Sequence, residues 1–470
     1  MARPMVAGER KELGRHQRLY LVAALFVGLL IGTGAASGQV RRVTPDMAPE
    51  RIRQVLASAK AGDTVVWCKG TYRVTEPLPF RSGVTYAGEG LHQAVLDASA
   101  QPAAVRFEMS DGSHHLTFTR LHFRNIGFVC ASGSQQSGVS HVIFEDCLFS
   151  DGKPDADGSS GAYILAGRSQ YVTVRRCTFL RDANCLGLGV VFWKAWDGQV
   201  LDCHFGAWGE QYPAAQHGYF VAAIYVQGSG SGTNDEAGYR DRSVRIRIEG
   251  NEITRNPDID QLPADHGIYA LGAYDLYLGY NIISGWPTRA DGGAAKLRDG
   301  DRYYFEQNLM ERSGLLLYEY RANKPDHLKD VVVKDNVAQT WVKPGPDDRA
   351  TGISYWRDWP GGTEQAIRLE GNVAYGGELT LHPPLNADRW NEGAGGVFAN
   401  RASYISLPAG VRAEGNAEIT DAGPDRDVLT CQFRERIANR RPWRWDSLSS
   451  FFDELWKDWP SVKVAAPAAP

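Results

Sequence analysis

At 470 residues, 43% hydrophobic and 23% charged, the chain has the balance of a folded protein rather than a disordered one. A net charge of −4 over that length leaves no basic footprint, which sets nucleic acid aside as a partner. The seven cysteines are an odd number, too sparse for a disulfide framework and without the spacing of a zinc site.

The first 38 residues read as an address. Arg3, Arg10, Lys11, Arg15 and Arg18 precede an apolar run from Leu19 to Ile31, and small residues from Gly32 to Gly38 close it. This is the layout of a secretory signal. An uncleaved anchor is the alternative, since residues 19–36 approach the roughly 20 needed to span a bilayer. On both readings the rest of the chain is expected outside the cytoplasm, secreted, periplasmic or at the cell surface, with membrane contact only through this segment.

Residues 49–60 place Ile52, Val55, Leu56 and Ala59 on one helical face, with Asp46 upstream as a cap and Pro49 in the first turn. A helix here is expected to cover the open end of the strand-rich region downstream of it. From residue 118 a pattern recurs, apolar-x-x-(Cys/Asn)-x-apolar, centred on Leu121, Cys147, Cys177, Cys203, Asn251, Asn281, Asn308, Asn336, Asn372 and Asn416. Successive separations are 26, 30, 26, 48, 30, 27, 28, 36 and 44. A period in the high twenties built from short β-rich segments marks a solenoid whose rungs share a core. The key column then holds stacked thiols packed as small hydrophobes, followed by asparagines that satisfy one another's amides and tolerate a left-handed turn. The expected architecture is all-β, a right-handed parallel β-helix of about ten rungs over residues 39–425. Residues 426–470 are expected to hold an amphipathic helix, with Leu448, Phe452, Leu455, Trp456 and Trp459 on one stripe, read as a second lid or a docking helix. A Pro/Ala tail comes after it.

A second strand precedes each Cys or Asn copy and usually opens with glycine, as in His266-Gly-Ile-Tyr-Ala, Gly293-Ala-Ala-Lys296-Leu-Arg298, Gly314-Leu-Leu-Leu-Tyr-Glu319-Tyr-Arg321 and Gly352-Ile-Ser-Tyr355-Trp-Arg357. Counting from each glycine puts Lys296, Arg298, Glu319, Arg321, Tyr355, Arg357 and Lys194 at odd offsets, on one face by period-two alternation. Tyr269, Leu271, Ala295, Leu297, Leu316, Tyr318 and Trp356 then fall to the core. Trp193, Trp196, Trp286 and Trp359 are expected nearby. Like charges on adjacent rungs repel, and a long anionic glycan would relieve them, so a groove for an acidic polysaccharide is expected.

The opening Ala61-Gly-Asp-Thr-Val-Val-Trp-Cys-Lys-Gly-Thr-Tyr72, with the rungs, resembles the right-handed β-helix proteins that act on acidic polysaccharides: pectate lyases, alginate-lyase and chondroitinase-B-like lyases, and mannuronan C5-epimerases. The segment from Lys296 to Arg321 resembles the lysine-then-arginine rungs of the chondroitinase-B-like lyases. That resemblance implies β-elimination on a uronate, with Lys296 as base, Arg321 as its acidic partner and His266 as a further acid or base. Arg298, Glu319, Arg289, Tyr355, Arg357 and Lys194 are then substrate-binding residues. A C5-epimerase, a glycoside hydrolase and a non-catalytic glycan-binding surface protein remain alternatives. The interval from Lys296 to Arg321 is longer than the family spacing, and Glu319 stands where the family arginine falls. The family also holds calcium just upstream of its lysine; Asp291 fits one such place, but Arg289 stands where a second acid is expected. The expectation is therefore no cofactor or Ca2+. His217, and Asp151, Asp155 and Asp157 in an oxygen-rich loop, are weaker candidates for chemistry or for a hard cation.

Overall fold

The computed structural model describes residues 38–133, 138–153, 161–180, 187–208, 221–228, 241–255, 265–286, 293–319, 328–340, 352–357, 364–382, 385–440 and 447–460. The segment read above as an export signal lies outside these but for Gly38. Among the described residues no helix is long and apolar enough to cross a membrane.

Every strand pairs in parallel with a strand one coil away in sequence, Thr117 with Ile143 and Ile143 with Thr173 in one column, for example. A chain that returns to the same side after each turn builds a right-handed parallel β-helix, here with three strand columns. The first column runs through Ile126–Ala131, Ala162–Gly167, Leu188–Trp193, Val221–Gln227, the first halves of Asp265–Gly279 and Gly293–Glu306, Leu315–Glu319 and Gly352–Arg357. The second runs through His114–Thr119, Ser140–Glu145, Val244–Glu249, the second halves of those two long strands, and Leu328–Lys334. The third holds the short strands after each Cys or Asn, such as Leu148–Ser150 and Leu309–Glu311.

Inside, aromatic side chains stack from rung to rung: Phe149 on Phe179 at 4.8 Å and Phe179 on Phe205 at 4.6 Å between ring centres. The key column forms as expected. Leu121, Cys147, Cys177 and Cys203 are buried, and burial pushes the Cys147 and Cys177 thiols well above their usual range. Above them Asn251, Asn281, Asn308, Asn336, Asn372, Asn400 and Asn416 form one ladder, each Nδ2 donating to the next Oδ1 at 2.9–3.0 Å. Asn400 is a rung the repeat pattern missed; it divides the 44-residue interval after Asn372. The left-handed residue is not the asparagine but the one before it, such as Tyr280 (φ 58°), Gln307 (54°) and Asp335 (52°). The asparagine itself is reserved for the amide chain.

Helix α1 (Pro49–Ala57) buries Ile52 and Leu56 against the first rungs; its N-cap is Ala48, and Asp46 does not cap it. A one-turn helix, α2 (Ala387–Trp390), brings Trp390 into the core. Helices α3 (Arg426–Asn439) and α4 (Leu448–Trp456) come next. Neither closes the far end of the solenoid, which corrects the second-lid expectation. Leu429 and Phe433 of α3 pack on Ile282 and Leu309 outside the third column, and Leu448, Phe451, Phe452 and Trp456 of α4 pack on Tyr277 and Val332 outside the second. Trp459 Nε1 then donates to Asp330 at 2.8 Å. Flank docking follows from what those faces expose: apolar rings in mid-solenoid offer α4 more surface to bury than the polar last rung, whose Ala413, Glu414, Ala417 and Glu418 are all exposed.

Candidate functional site

The outward face of the first strand column is where chemistry-bearing side chains meet. Three lines of register cross it. Leu188, Ala222, His266 and Gly293 form one; Val191, Tyr225, Tyr269, Lys296, Leu316 and Ser354 the second; Trp193, Gln227, Leu271, Arg298, Tyr318 and Trp356 the third. The alternate positions Ile268, Ala270, Ala295, Leu297, Leu315, Leu317, Ile353 and Tyr355 line the core.

Lys296 and Arg298 therefore do project together, as expected, two residues apart on one strand. The lysine ammonium lies 4.2 Å from the Tyr318 ring centre and 5.9 Å from that of Tyr269. Arg298 donates to the Tyr269 hydroxyl at 3.2 Å and to Asp299 at 3.2 Å. His266 lies on the same face one rung back, its ring stacked on Tyr269 at 4.9 Å and 14°. Tyr269 stacks in turn on Tyr225 at 5.2 Å. His266 and Lys296 are almost fully buried. Burial, and secondarily the charge of Lys296, holds the His266 imidazole well below its usual range, so at neutral pH it is an uncharged proton acceptor. Gly293 stands opposite His266 in the register.

Among the described residues the wider cation stripe does not form. Tyr355, expected on the groove, is a core residue in register with Leu317, its ring edge-on to Trp390 at 5.2 Å. Glu319 and Arg357 lie at the inner corner between the first two columns, not in the groove. Glu319 accepts from the Leu328 backbone N–H at 2.9 Å and from the Tyr355 hydroxyl at 3.4 Å, while Arg357 donates to Glu364 at 2.8 Å. Burial, then the neighbouring Glu364, pushes Glu319 up to about 8. Lys194 follows Trp193 at a left-handed position (φ 54°) and pairs with Asp241 at 2.7 Å, away from the Lys296 line. Conversely Tyr269, Leu271, Leu316, Tyr318 and Trp356, expected in the core, face outward. Trp286 is in the core, Trp196 packs outside the second column with Tyr274, and Trp193 alone of the described tryptophans expected nearby joins the face.

The physical reason is a one-residue frame error. Gly293 is in register with His266, whereas Gly314 and Gly352 align with Ala294, one position on, as Leu315 opposite Ala295 and Ile353 opposite Leu315 require. A shift of one exchanges faces. Tyr269, the aromatic centre of the site, was legible by another route: it lies twelve residues upstream of Asn281, as Lys296 does of Asn308 and Val191 of Cys203.

Arg321, Arg289, Asp291, His217, Trp359, Asp155 and Asp157 lie outside the described residues. Asp151 accepts from Arg124 at 2.7 Å. Among the described residues no three His, Cys, Asp or Glu side chains are placed to hold a metal ion.

No family model matches the sequence, and no curated protein does. Several solved structures match along most of its length. The A-module of a mannuronan C-5 epimerase from Azotobacter vinelandii is 16% identical, with 78% of this chain and 95% of that one covered and a TM-score of 0.37. A surface protein and adhesin of Streptococcus pneumoniae is 13% identical over 83% and 97%, with a TM-score of 0.46. A mannuronic-acid-specific family 6 polysaccharide lyase from human gut microbiota is 13% identical over 89% and 100%, with a TM-score of 0.48. These likenesses are loose, and the architecture rests on the strand register itself.

Proposed function

We propose that this is an exported enzyme that removes the C5 proton of a uronate in an acidic polysaccharide and completes a β-elimination. The observation that carries the reading is one outward patch, on two adjacent coils, holding a neutral buried histidine, two cations and a tyrosine hydroxyl that accepts from one of them. A C5 proton next to a carboxylate is acidic enough to remove only when the carboxylate charge is neutralised and a base waits on one side.

Lys296 and Arg298 supply the neutralising charge. An ammonium between two ring faces is favoured as the cation, so Lys296 suits the carboxylate better than it suits the role of base implied by the resemblance. His266 takes the proton. As the C5–H pair forms the C4=C5 double bond, the bond from C4 to the bridging oxygen breaks, and Tyr269 returns a proton to that oxygen. The tyrosinate left behind is stabilised by Arg298 at its hydroxyl. A glycoside hydrolase needs two carboxylates in the groove; the three register lines of the outward face carry none, and the buried pair Glu319 and Glu364 belongs to the inner corner.

The test is a panel of alginate, pectate, glucuronan and glycosaminoglycans, with the ultraviolet absorbance of the new double bond as readout. His266→Ala is expected to lose roughly a hundred-fold or more in rate with its circular dichroism unchanged, and Lys296→Ala to raise KM as well. An unaffected rate in His266→Ala removes the assignment. New reducing ends without absorbance point to hydrolysis, inverted C5 centres without cleavage to epimerisation, and binding without products to a non-catalytic surface protein.

A further inference from the structure

The third line of the outward face continues well beyond the reacting patch. Trp193, Gln227, Leu271, Arg298, Tyr318 and Trp356 stand in register on consecutive coils. Five steps of about 4.8 Å make a track of about 24 Å, long enough for several linked pyranose rings.

Both ends of the track carry an indole that is only partly buried. Trp193 leans over small residues. A side chain on Gly167, its register partner one coil earlier, would stand 3.2 Å from the indole Cε3, and Ala131 lies beyond it. The Arg168 guanidinium lies 5.2 Å from the centre of the Trp193 ring, and the Lys194 ammonium 5.6 Å from it with its charge met by Asp241 at 2.7 Å. At the other end Trp356 lies beside His382, 3.8 Å between centres. An indole presents a flat apolar surface to the C–H face of a sugar ring, and a cation beside it suits a ring that bears a carboxylate.

We infer that Trp193, with Arg168, is a second uronate subsite, three coils (about 14 Å) from Arg298, and that the substrate is a run of uronates rather than one acidic residue among neutral sugars. This deepens the reading given under Proposed function and rests on it. A lone uronate would be served by Lys296 and Arg298 and would make no use of the Arg168 guanidinium at Trp193. A polyuronate meets both.

The experiment is calorimetric binding, with no turnover, using the full chain inactivated as His266→Ala. Size-defined oligouronates, a disaccharide and a hexasaccharide, are compared with a neutral hexasaccharide. The hexauronate is expected to bind at least about ten-fold more tightly than the diuronate and the neutral chain. Adding Trp193→Ala is expected to cut that length advantage about ten-fold, Trp193→Phe to restore most of it, and Arg168→Gln to reduce it for the uronate and not for the neutral chain. Equal affinity for short and long uronates, an undiminished advantage in Trp193→Ala, or no binding to any acidic oligomer overturns the subsite. If wild type turns nothing over while the length advantage and its loss in Trp193→Ala persist, the elimination chemistry fails and the subsite stands.

Discussion

Replacing Asn308 by alanine tests whether the amide ladder holds the site's own coil in place, because Asn308 ends the coil that begins with Lys296 and Arg298. Its side chain makes five contacts at hydrogen-bonding distance, four buried and one partly buried, with the two N–H groups of Nδ2 shared among three acceptors. Oδ1 accepts from the Asn281 backbone N–H at 3.0 Å and from Asn281 Nδ2 at 2.9 Å. Nδ2 donates to the Leu278 carbonyl at 3.0 Å, the Glu306 carbonyl at 2.9 Å and Asn336 Oδ1 at 3.0 Å. Alanine removes all five. Two partners keep a bond: Asn281 Nδ2 still reaches the Ile248 carbonyl and Asn336 Oδ1 still accepts from the Asn308 backbone N–H. The Asn281 N–H loses this acceptor at a position with no exposed surface, which by itself costs about 1–3 kcal/mol, and the remaining bonds add roughly 0.5–1.5 kcal/mol each. With partial compensation the loss is about 3–5 kcal/mol. Urea denaturation followed by circular dichroism measures it, with Asn416→Ala on the partly exposed last rung as reference, expected near 1 kcal/mol. Asn308→Asp is a sharper probe. Its carboxylate keeps the acceptor and loses the donor, and it faces Asn336 Oδ1 inside the core, so its folded pKa rises above the unfolded value of about 3.9. The protonated acid then restores stability at low pH, and that contribution is lost as pH rises through the folded pKa. A loss below about 1 kcal/mol in Asn308→Ala, or a penalty in Asn308→Asp that does not shrink towards pH 4, refutes the ladder as the support of this coil.

Glu319 gives a pH signature from the inner corner. Its folded pKa is raised from 4.5 to about 8, so the folded state holds a proton that the unfolded state releases, and stability declines by on the order of a few kcal/mol as pH rises from about 4.5 to 8; urea midpoints at both ends of that window should converge in Glu319→Gln. Trp456→Ala removes a ring that is 2% exposed and lies 5.7 Å from Tyr304, and it is expected to weaken α4 docking by about 3–5 kcal/mol. Because α4 packs on the flank, hydrogen exchange should accelerate over residues 447–460 and leave the coil strands protected, whereas a cooperative loss of the whole solenoid would contradict flank docking.

The fold was legible because its cause is periodic. A column that must be small and apolar, or an amide able both to give and to accept, recurs in the sequence wherever the coil closes, and insertions can lengthen a coil without disturbing it. The 48 residues between Cys203 and Asn251 are one coil, with Gln199 still opposite Arg247. What escaped was the copy at Asn400, where Phe398-Ala-Asn lacks the acidic or glycine lead of its neighbours, and the resting place of α3 and α4. An amphipathic stripe announces that a helix buries a face; which flank it meets depends on residues such as Tyr277 and Val332 that come together only after coiling.

The site was legible only to the extent that its frame was. In a β-helix the face a strand residue shows is decided by where the coil closes, and coil closure is governed by the hydrogen-bonded ladder, not by the glycines that open the strands. Counting back twelve from the ladder reaches Leu165, Val191, Tyr269 and Lys296 from Cys177, Cys203, Asn281 and Asn308, and all four face outward. The count breaks where chain is inserted between the first and second columns: Leu316 is twenty residues before Asn336, with residues 320–327 between. Glu319, Tyr355 and Arg357 follow Gly314 and Gly352, which stand one position later in the register than Gly293, and that offset is why a glycine-based count turned core and corner residues into groove residues. The two cations whose coil carries no insertion, Lys296 and Arg298, kept their face under either count. It follows that a coil with its spacing intact is the part of this solenoid where sequence alone locates an outward-facing side chain, and that His266 and Tyr269, on the adjoining uninterrupted coil, share the face of Lys296 and Arg298 for the same geometric reason.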